Sequence, residues 1–200
     1  MLNPYRALDL TDEKGLLCGK IRADLGADVI QVEKPGGNPA RSIPPFLEEV
    51  AGPERSLFWL AFNAGKKSIT LNLRAESAKK ILTDLIKVSD VVVENFRPGT
   101  MKKMGFPYET IKAINPRVIF ASITGFGSKG PESQKPGFDL IAQGMSGFMS
   151  FTGEVGGGPI KVGVAIADIN SGMFLAYGVL AALYNRERTG EGQMVETSLF

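Results

Sequence analysis

Short β-branched runs and longer stretches of helical spacing alternate along this chain. Ala27–Glu33 (ADVIQVE), Ser68–Leu73 (SITLNL), Asp90–Glu94 (DVVVE) and Val118–Thr124 (VIFASIT) are apolar runs bounded by turn residues, which predicts strands. Leu8–Thr11 predicts a short first strand. Lys14–Leu25 reads as a helix ending at Gly26. Arg74–Lys87 reads as a second, with Ile81, Leu82, Leu85 and Ile86 as its apolar stripe and Lys79, Lys80, Asp84 and Lys87 elsewhere. Thr100–Met104 and Tyr108–Ile114 predict short helices, and Phe138–Phe151 a helix or irregular apolar packing. Gln193–Phe200 begins a strand or a helix. Strand, helix and strand over residues 8–33 form a βαβ unit, which implies parallel pairing with a right-handed crossover. Continued to the end of the chain, the alternation predicts an α/β three-layer domain with a largely parallel sheet.

The segment Gly153–Tyr184 concentrates the candidate chemistry. Val162, Val164 and Ile166 alternate within Lys161–Ala167, which predicts a buried strand with Asp168 at its C-terminal end. Asn170, Ser171 and Gly172 supply helix-start residues, and Met173–Tyr184 is an apolar core helix too short to span a bilayer. Asp168 then lies where unpaired backbone N–H groups and the helix dipole favour negative charge. It reads either as a helix cap or as a reactive carboxylate at the C-terminal edge of a sheet. The local pattern leaves both open.

Lys34–Pro53 contains five prolines and three glycines and predicts a long loop. Arg41 sits in it, after a Gly-Gly-Asn-Pro turn. With the Lys66-Lys67 pair, and Arg97 with Lys102 and Lys103, it gives three cation-bearing loops expected at strand C-terminal ends; a fourth carries Lys129 and Lys135. Gathered at one sheet edge, the first three suit a nucleotide-containing ligand such as coenzyme A; as scattered surface charges they need no ligand. Glu33 ends a strand where a ribose-binding acid would sit in a Rossmann fold, but no G-x-G-x-x-G motif occupies the first turn, so a dinucleotide is poorly supported. Trp59, Phe58 and Phe62 would cover an adenine or fill a core.

Net charge is +2, which gives no case for nucleic acid or an anionic membrane surface. Cys18 is the single cysteine, so no internal disulfide forms; its apolar flanks predict a buried thiol, and the usage fits a reducing, cytoplasmic compartment. The N-terminus lacks a basic region followed by an apolar run, so it does not read as a secretory signal. No histidine is present, which removes the commonest general base and, with one cysteine, makes a transition-metal site improbable.

Seven blocks occur in order: GADVIQVEKPGGNPAR (26–41), FNAGKKSITLNLR (62–74), DVVVENFRPGTMKKMG (90–105), NPRVIFASITGFG (115–127), GFDLIAQGMSGFMSFTG (137–153), VGVAIADINSG (162–172) and LAALYNRERTGEGQMVETSL (180–199). Together they resemble the class III coenzyme A transferases of the CaiB/BaiF type, relatives of formyl-CoA transferase and carnitine–CoA transferases. The resemblance implies a Rossmann-like large domain, of which residues 1–200 would be the N-terminal portion. A small domain and C-terminal part would lie beyond residue 200, and two subunits would interlock as a homodimer. It implies no permanently bound cofactor, with acyl-CoA and a small carboxylic acid as substrates and neither nucleic acid nor membrane as partner. It places the catalytic nucleophile on Asp168, which would pass through anhydride and aspartyl-CoA thioester intermediates. CoA contacts carry over onto Arg41, Leu71, Arg74, Asn95, Phe96 and Lys103, and more weakly onto Lys135. Arg74 and Lys103 exchange arginine and lysine relative to formyl-CoA transferase, which keeps charge but changes phosphate geometry. Racemases of the same fold use a histidine in a Gly-His-Asp block; here the block is Gly137-Phe138-Asp139, and phenylalanine cannot carry a proton.

Overall fold

Valine and isoleucine runs form the centre of one sheet because both of its faces are covered and a two-sided burial favours continuous apolar strands. The computed structural model describes residues 1–200. In chain order its elements are β1 (Arg6–Asp9), α1 (Leu16–Asp24), β2 (Asp28–Glu33), α2 (Leu57–Asn63), β3 (Lys67–Thr70), α3 (Glu76–Lys87) and β4 (Val91–Glu94), then α4 (Thr100–Lys103), α5 (Tyr108–Ile114), β5 (Ile119–Thr124), α6 (Asp139–Met145), α7 (Ile166–Thr189) and β6 (Met194–Ser198). The six strands pair in parallel throughout, in the order β3-β2-β1-β4-β5-β6. This is a doubly wound α/β sheet whose order reverses between β1 and β4, so a crevice opens there at the strands' C-terminal ends.

One face buries Ala7, Val91, Val93 and Ala121 against Cys18 of α1 and Leu175, Val179 and Leu183 of α7. The other buries Leu8, Val92 and Phe120 against Leu82 and Ile86 of α3 and Ile111 of α5. Each such side chain contributes roughly 1.5–3 kcal/mol by leaving water. Cys18 is fully buried, as expected. Trp59 packs with Leu16 and Ala40 in a third, smaller cluster.

Five expectations need correction. Lys161–Ala167 is not a strand: no neighbouring backbone pairs with it, and Val162 N donates instead to the Gln143 side chain at 2.9 Å. The following helix starts at Ile166 rather than Met173, so Asp168 lies inside its first turn and not at a strand end. At 24 residues α7 is long and apolar enough to cross a membrane, unlike the shorter run read from sequence. Its inner face lies in the core with β5 and α1. Lys66 precedes β3 and Lys67 opens it, at the sheet's other edge, where Lys67 pairs with Asp28 at the start of β2, 2.6 Å away. Lys66 is buried against Asp9 at 2.8 Å. Finally, Ile81 is exposed; α3 buries Ala78, Leu82 and Ile86 instead.

Candidate active site

Loops following β1, β4 and β5 surround a cleft of about 310 Å³ at the switch point, lined by Asp12, Lys14, Asn95, Phe96, Arg97 and Lys135 among others. Two reciprocal bonds tie its walls together. Asn95 Nδ2 donates to Asp12 Oδ1 at 2.6 Å, and Asp12 N donates to Asn95 Oδ1 at 3.1 Å. On the far wall, the chain after β5 and the chain before α6 cross in direct contact. A Cβ on Gly125 would lie 2.4 Å from Gly137 Cα, so this crossing admits no side chain at either position. The crossing seats Phe138 on the cleft and starts α6 at Asp139.

Asp139 then does what no residue of α7 does for itself. Ala165, the residue at the N-terminus of α7, offers no side-chain cap. Asp139 Oδ1 instead accepts from Ala167 N at 2.7 Å and from Asp168 N at 3.4 Å. Its other oxygen accepts from Gln143 Nε2 at 2.6 Å. A carboxylate from 28 or 29 residues away thus caps the helix and fixes the backbone of Asp168.

Asp168 is half-buried, and its Oδ1 is enclosed without a hydrogen-bond donor. Burial, reinforced by the Asp139 carboxylate, pushes its pKa up to about 7. Lys14 opposes this, while Asp12 and Glu13 add to it. Desolvation and three neighbouring acids thus work against the ionised form that a helix start favours. An enclosed, undonated carboxylate oxygen is poorly solvated and correspondingly nucleophilic, provided the group is ionised.

A second perturbed acid lies beneath the cleft. Glu94, the last residue of β4, is 6% exposed; its Oε1 accepts from Ser122 Oγ and its Oε2 from Phe96 N at 2.8 Å. Burial raises its pKa to about 7, against the pull of those two donors, with a further push from Glu196 on β6. The folded state therefore holds this proton more tightly than the unfolded chain does. Stability from this group is full below its ordinary value and is lost as pH rises through about 7. Glu94→Gln is expected to be more stable than the parent at pH 8, by about 2 kcal/mol, and no better at pH 4. Thermal melts at the two pH values check this.

Of the residues the family resemblance named, Asn95, Phe96 and the more weakly carried Lys135 line this cleft. Arg41 lines a separate one of about 360 Å³ with Trp59, Asn63 and Lys66. Leu71, Arg74 and Lys103 line neither, although all follow strand C-terminal ends; Leu71 is buried, and Arg74 and Lys103 are exposed and free of ion pairs. Arg41 is already engaged: Nε and Nη2 each donate at 2.7 Å to one oxygen of Glu33, Nη1 bonds Glu54, and the guanidinium stacks 3.9 Å from the Trp59 ring. Burial acts to raise the Glu33 pKa, but Arg41, Ser68 and Asn38 N together hold it below the ordinary range. Glu33 is thus an anchor for Arg41 and not a free ribose acid. Arg41→Ala would leave that buried charge without its partner, at a cost of about 3 kcal/mol, and is expected to raise the KM for acyl-CoA more than it lowers kcat. Steady-state kinetics beside a thermal melt separates the two effects; a fall in kcat alone would place Arg41 in the chemistry.

Reading the sequence alone gives no role to Asp139, Glu94, Asp12 or Lys14. Asp139 stands in the quoted Gly-Phe-Asp block, and an acid directly before an apolar helix is a capping signal, but the helix it caps is not its own.

The fold and cleft define a doubly wound α/β domain with an enclosed carboxylate, flanked by other acids, beside a cation-bearing switch-point crevice. The chain belongs to CoA-transferase family III, whose family model matches residues 5–200. It is 42% identical over 204 residues to a succinyl-CoA:mesaconate CoA-transferase of Haloarcula marismortui, covering 100% of this chain and 52% of that protein. It is 43% identical over 199 residues to a formyl-CoA:oxalate CoA-transferase of Streptomyces coelicolor, covering 99% of this chain and 47% of that protein. Among solved structures, a CAIB/BAIF family protein from Brucella suis superposes with a TM-score of 0.94 at 42% identity, covering 100% of this chain and 53% of that one. The chain spans about half the length of the curated relatives it matches.

Proposed function

We propose that the protein acts as a CoA-transferase, with Asp168 as the nucleophile that carries CoA from an acyl-CoA donor to a carboxylic acid acceptor. The observation that carries this reading is the enclosed, undonated Asp168 oxygen at the first turn of α7, beside the switch-point crevice. A carboxylate oxygen attacks the thioester carbonyl, the C–S bond breaks, and CoA thiolate leaves a mixed anhydride. The thiolate then attacks the aspartyl carbonyl carbon, which releases the donor's carboxylate and leaves an aspartyl-CoA thioester. The acceptor carboxylate attacks that thioester, and the returning thiolate takes the new acyl group, which frees Asp168. No net proton moves, so the histidine-free chain lacks nothing the chemistry needs.

Arg97 and Lys135, which line the cleft, and Arg41, Arg74 and Lys103 are the candidate phosphate-facing cations. Relatives named for mesaconate, oxalate and glutarate favour a dicarboxylic acid as acceptor. A second domain and an interlocked dimer, as the family resemblance implies, would cover the apolar side chains now exposed on α6, α7 and the intervening loop, among them Phe148, Phe151, Phe174 and Tyr177. A racemase reading would need a proton carrier where Phe138 stands. The test uses the full-length enzyme. Incubation with donor acyl-CoA followed by hydroxylamine should leave a hydroxamate on Asp168, read by peptide mass spectrometry. Transfer without any adduct at Asp168 would remove it from the nucleophile's role.

A further inference from the structure

Three neighbouring strands, β2, β1 and β4, end in the buried acids Glu33, Asp9 and Glu94. Each acid turns back on the loop that follows its strand: Glu33 accepts from Asn38 N, Asp9 from Thr11 N and Glu94 from Phe96 N. The middle one holds a wall of the cleft, since the turn between β1 and α1 presents Asp12 and Lys14 to it. Asp9 Oδ1 accepts from Thr11 N at 3.0 Å and from Thr11 Oγ1 at 2.6 Å, and Asp9 Oδ2 accepts from Lys66 Nζ at 2.8 Å. The Lys66 side chain is 1% exposed, and its Nζ donates also to Leu16 O at 3.0 Å and to Gln31 Oε1 at 3.3 Å. An ammonium has three N–H groups, so each has an acceptor inside the protein and none is left for a phosphate. Asp9 ends β1 and Leu16 opens α1, so one ammonium spans both ends of the turn. Gln31 Nε2 and Asn38 Nδ2 each donate to Thr11 O at 2.9 Å and hold the turn from the β2 side. Gly19 of α1 leaves room for the pair: a Cβ there would lie 2.0 Å from Asp9 Oδ2 and 3.1 Å from Lys66 Nζ.

We infer that Lys66 and Asp9 are positioning residues for CoA binding, which set the β1–α1 turn on the cleft wall without touching the ligand. This rests on the reading of the switch-point cleft as the CoA site. A buried ion pair is a poor source of stability compared with apolar side chains of the same volume. A fully satisfied polar network does fix one arrangement of the backbone it binds. Here that backbone is the turn. Its effect reaches the opposite wall, because Asp12 N donates to Asn95 Oδ1 and Asn95 Nδ2 returns the bond to Asp12 Oδ1. Lys66 is thus the one cation of the loops singled out by sequence whose charge is spent wholly inside the protein.

Two variants of the full-length enzyme test this. Asp9→Asn combined with Lys66→Met removes both charges at nearly constant volume, so neither is left buried alone. Gly19→Ala keeps both charges, favours the helix, and places a methyl where the Asp9 carboxylate now lies. In each, hydrogen exchange of the backbone amides of residues 11–15 should quicken, while that of α3 and α5 stays as in the parent. The Kd for CoA, by calorimetry, and the KM for acyl-CoA should both rise by about 10-fold, and kcat should change less. A merely structural role would lower the melting temperature and leave Kd and KM unmoved. Parental exchange and Kd in the double variant overturn the inference, even if trapping at Asp168 succeeds. Faster exchange with a parental Kd overturns it too, because the turn would then not govern CoA binding. If exchange quickens but the parent enzyme itself binds no CoA, the hold on the turn stands and the CoA reading of the cleft falls. Should the double variant fail to fold, parental exchange and Kd in Gly19→Ala overturn the inference by themselves.

Discussion

Asp168→Ala is expected to reduce CoA transfer by on the order of 10³-fold or more, while CoA affinity changes by no more than a few-fold. The first half follows from covalent catalysis: without the carboxylate there is no anhydride. The second half follows from geometry, because Asp168 does not line the cleft that Asn95, Phe96 and Arg97 enclose. Transfer assays and calorimetric titration with CoA separate the two. Retained turnover would move the nucleophile elsewhere; lost affinity would make Asp168 a binding group. A stability signature accompanies the kinetic one. The folded pKa of about 7 lies above the ordinary value of 3.8, so the native state binds this proton more tightly than the unfolded chain. The group's contribution is full below about pH 4 and is lost as pH rises through about 7. Asp168→Asn should therefore melt a few degrees above the parent at pH 8, with the difference vanishing near pH 4. In the parent enzyme, the same titration should place the acid limb of kcat/KM near pH 7, since only the ionised carboxylate attacks.

Asp139→Ala and Asp139→Asn are expected to differ, and the difference isolates two functions of one carboxylate. Alanine removes the acceptor of Ala167 N and Asp168 N. The cost is about 1–2 kcal/mol of stability, as for other lost helix caps. The first turn of α7 would then shift, and a displacement of about 1 Å at a reacting group costs on the order of 10²-fold in rate. Asparagine keeps an oxygen in place, so the helix start and most of the stability should survive. It removes the negative charge that helps push Asp168 upward, so the acid limb of the rate profile should move down. Melting temperatures and pH profiles of both variants decide the matter. Equal destabilisation by the two, with no movement of the limb in Asp139→Asn, would show that Asp139 neither caps α7 nor acts on Asp168.

Much of the scaffold is written in the chain as local pattern. The runs that became β2, β4 and β5 are β-branched, bounded by turn residues and buried on both faces, and each assignment fails by only a residue or so at its ends. The all-parallel α/β class follows from their alternation with helices. The same period-2 rule misreads Lys161–Ala167, because alternation of valines describes only a side-chain pattern. A strand needs a second backbone to pair with, and this segment has none. The start of α7 was illegible for the complementary reason: its cap, Asp139, comes from another helix, so the helix begins seven residues before the local start signal suggests. Arg41 reads locally as a solvated loop cation, yet it is committed to Glu33 and Trp59.

The sequence by itself determined the order of strands and helices through β5 and, through its ordered blocks, the identity of the candidate nucleophile. Only the tertiary structure decided the surroundings of that nucleophile. A carboxyl's affinity for its proton depends on its burial and on which charges surround it. Here those charges come from Asp12, Glu13 and Lys14 at one end of the chain and Asp139 near the middle, and only folding brings them to Asp168.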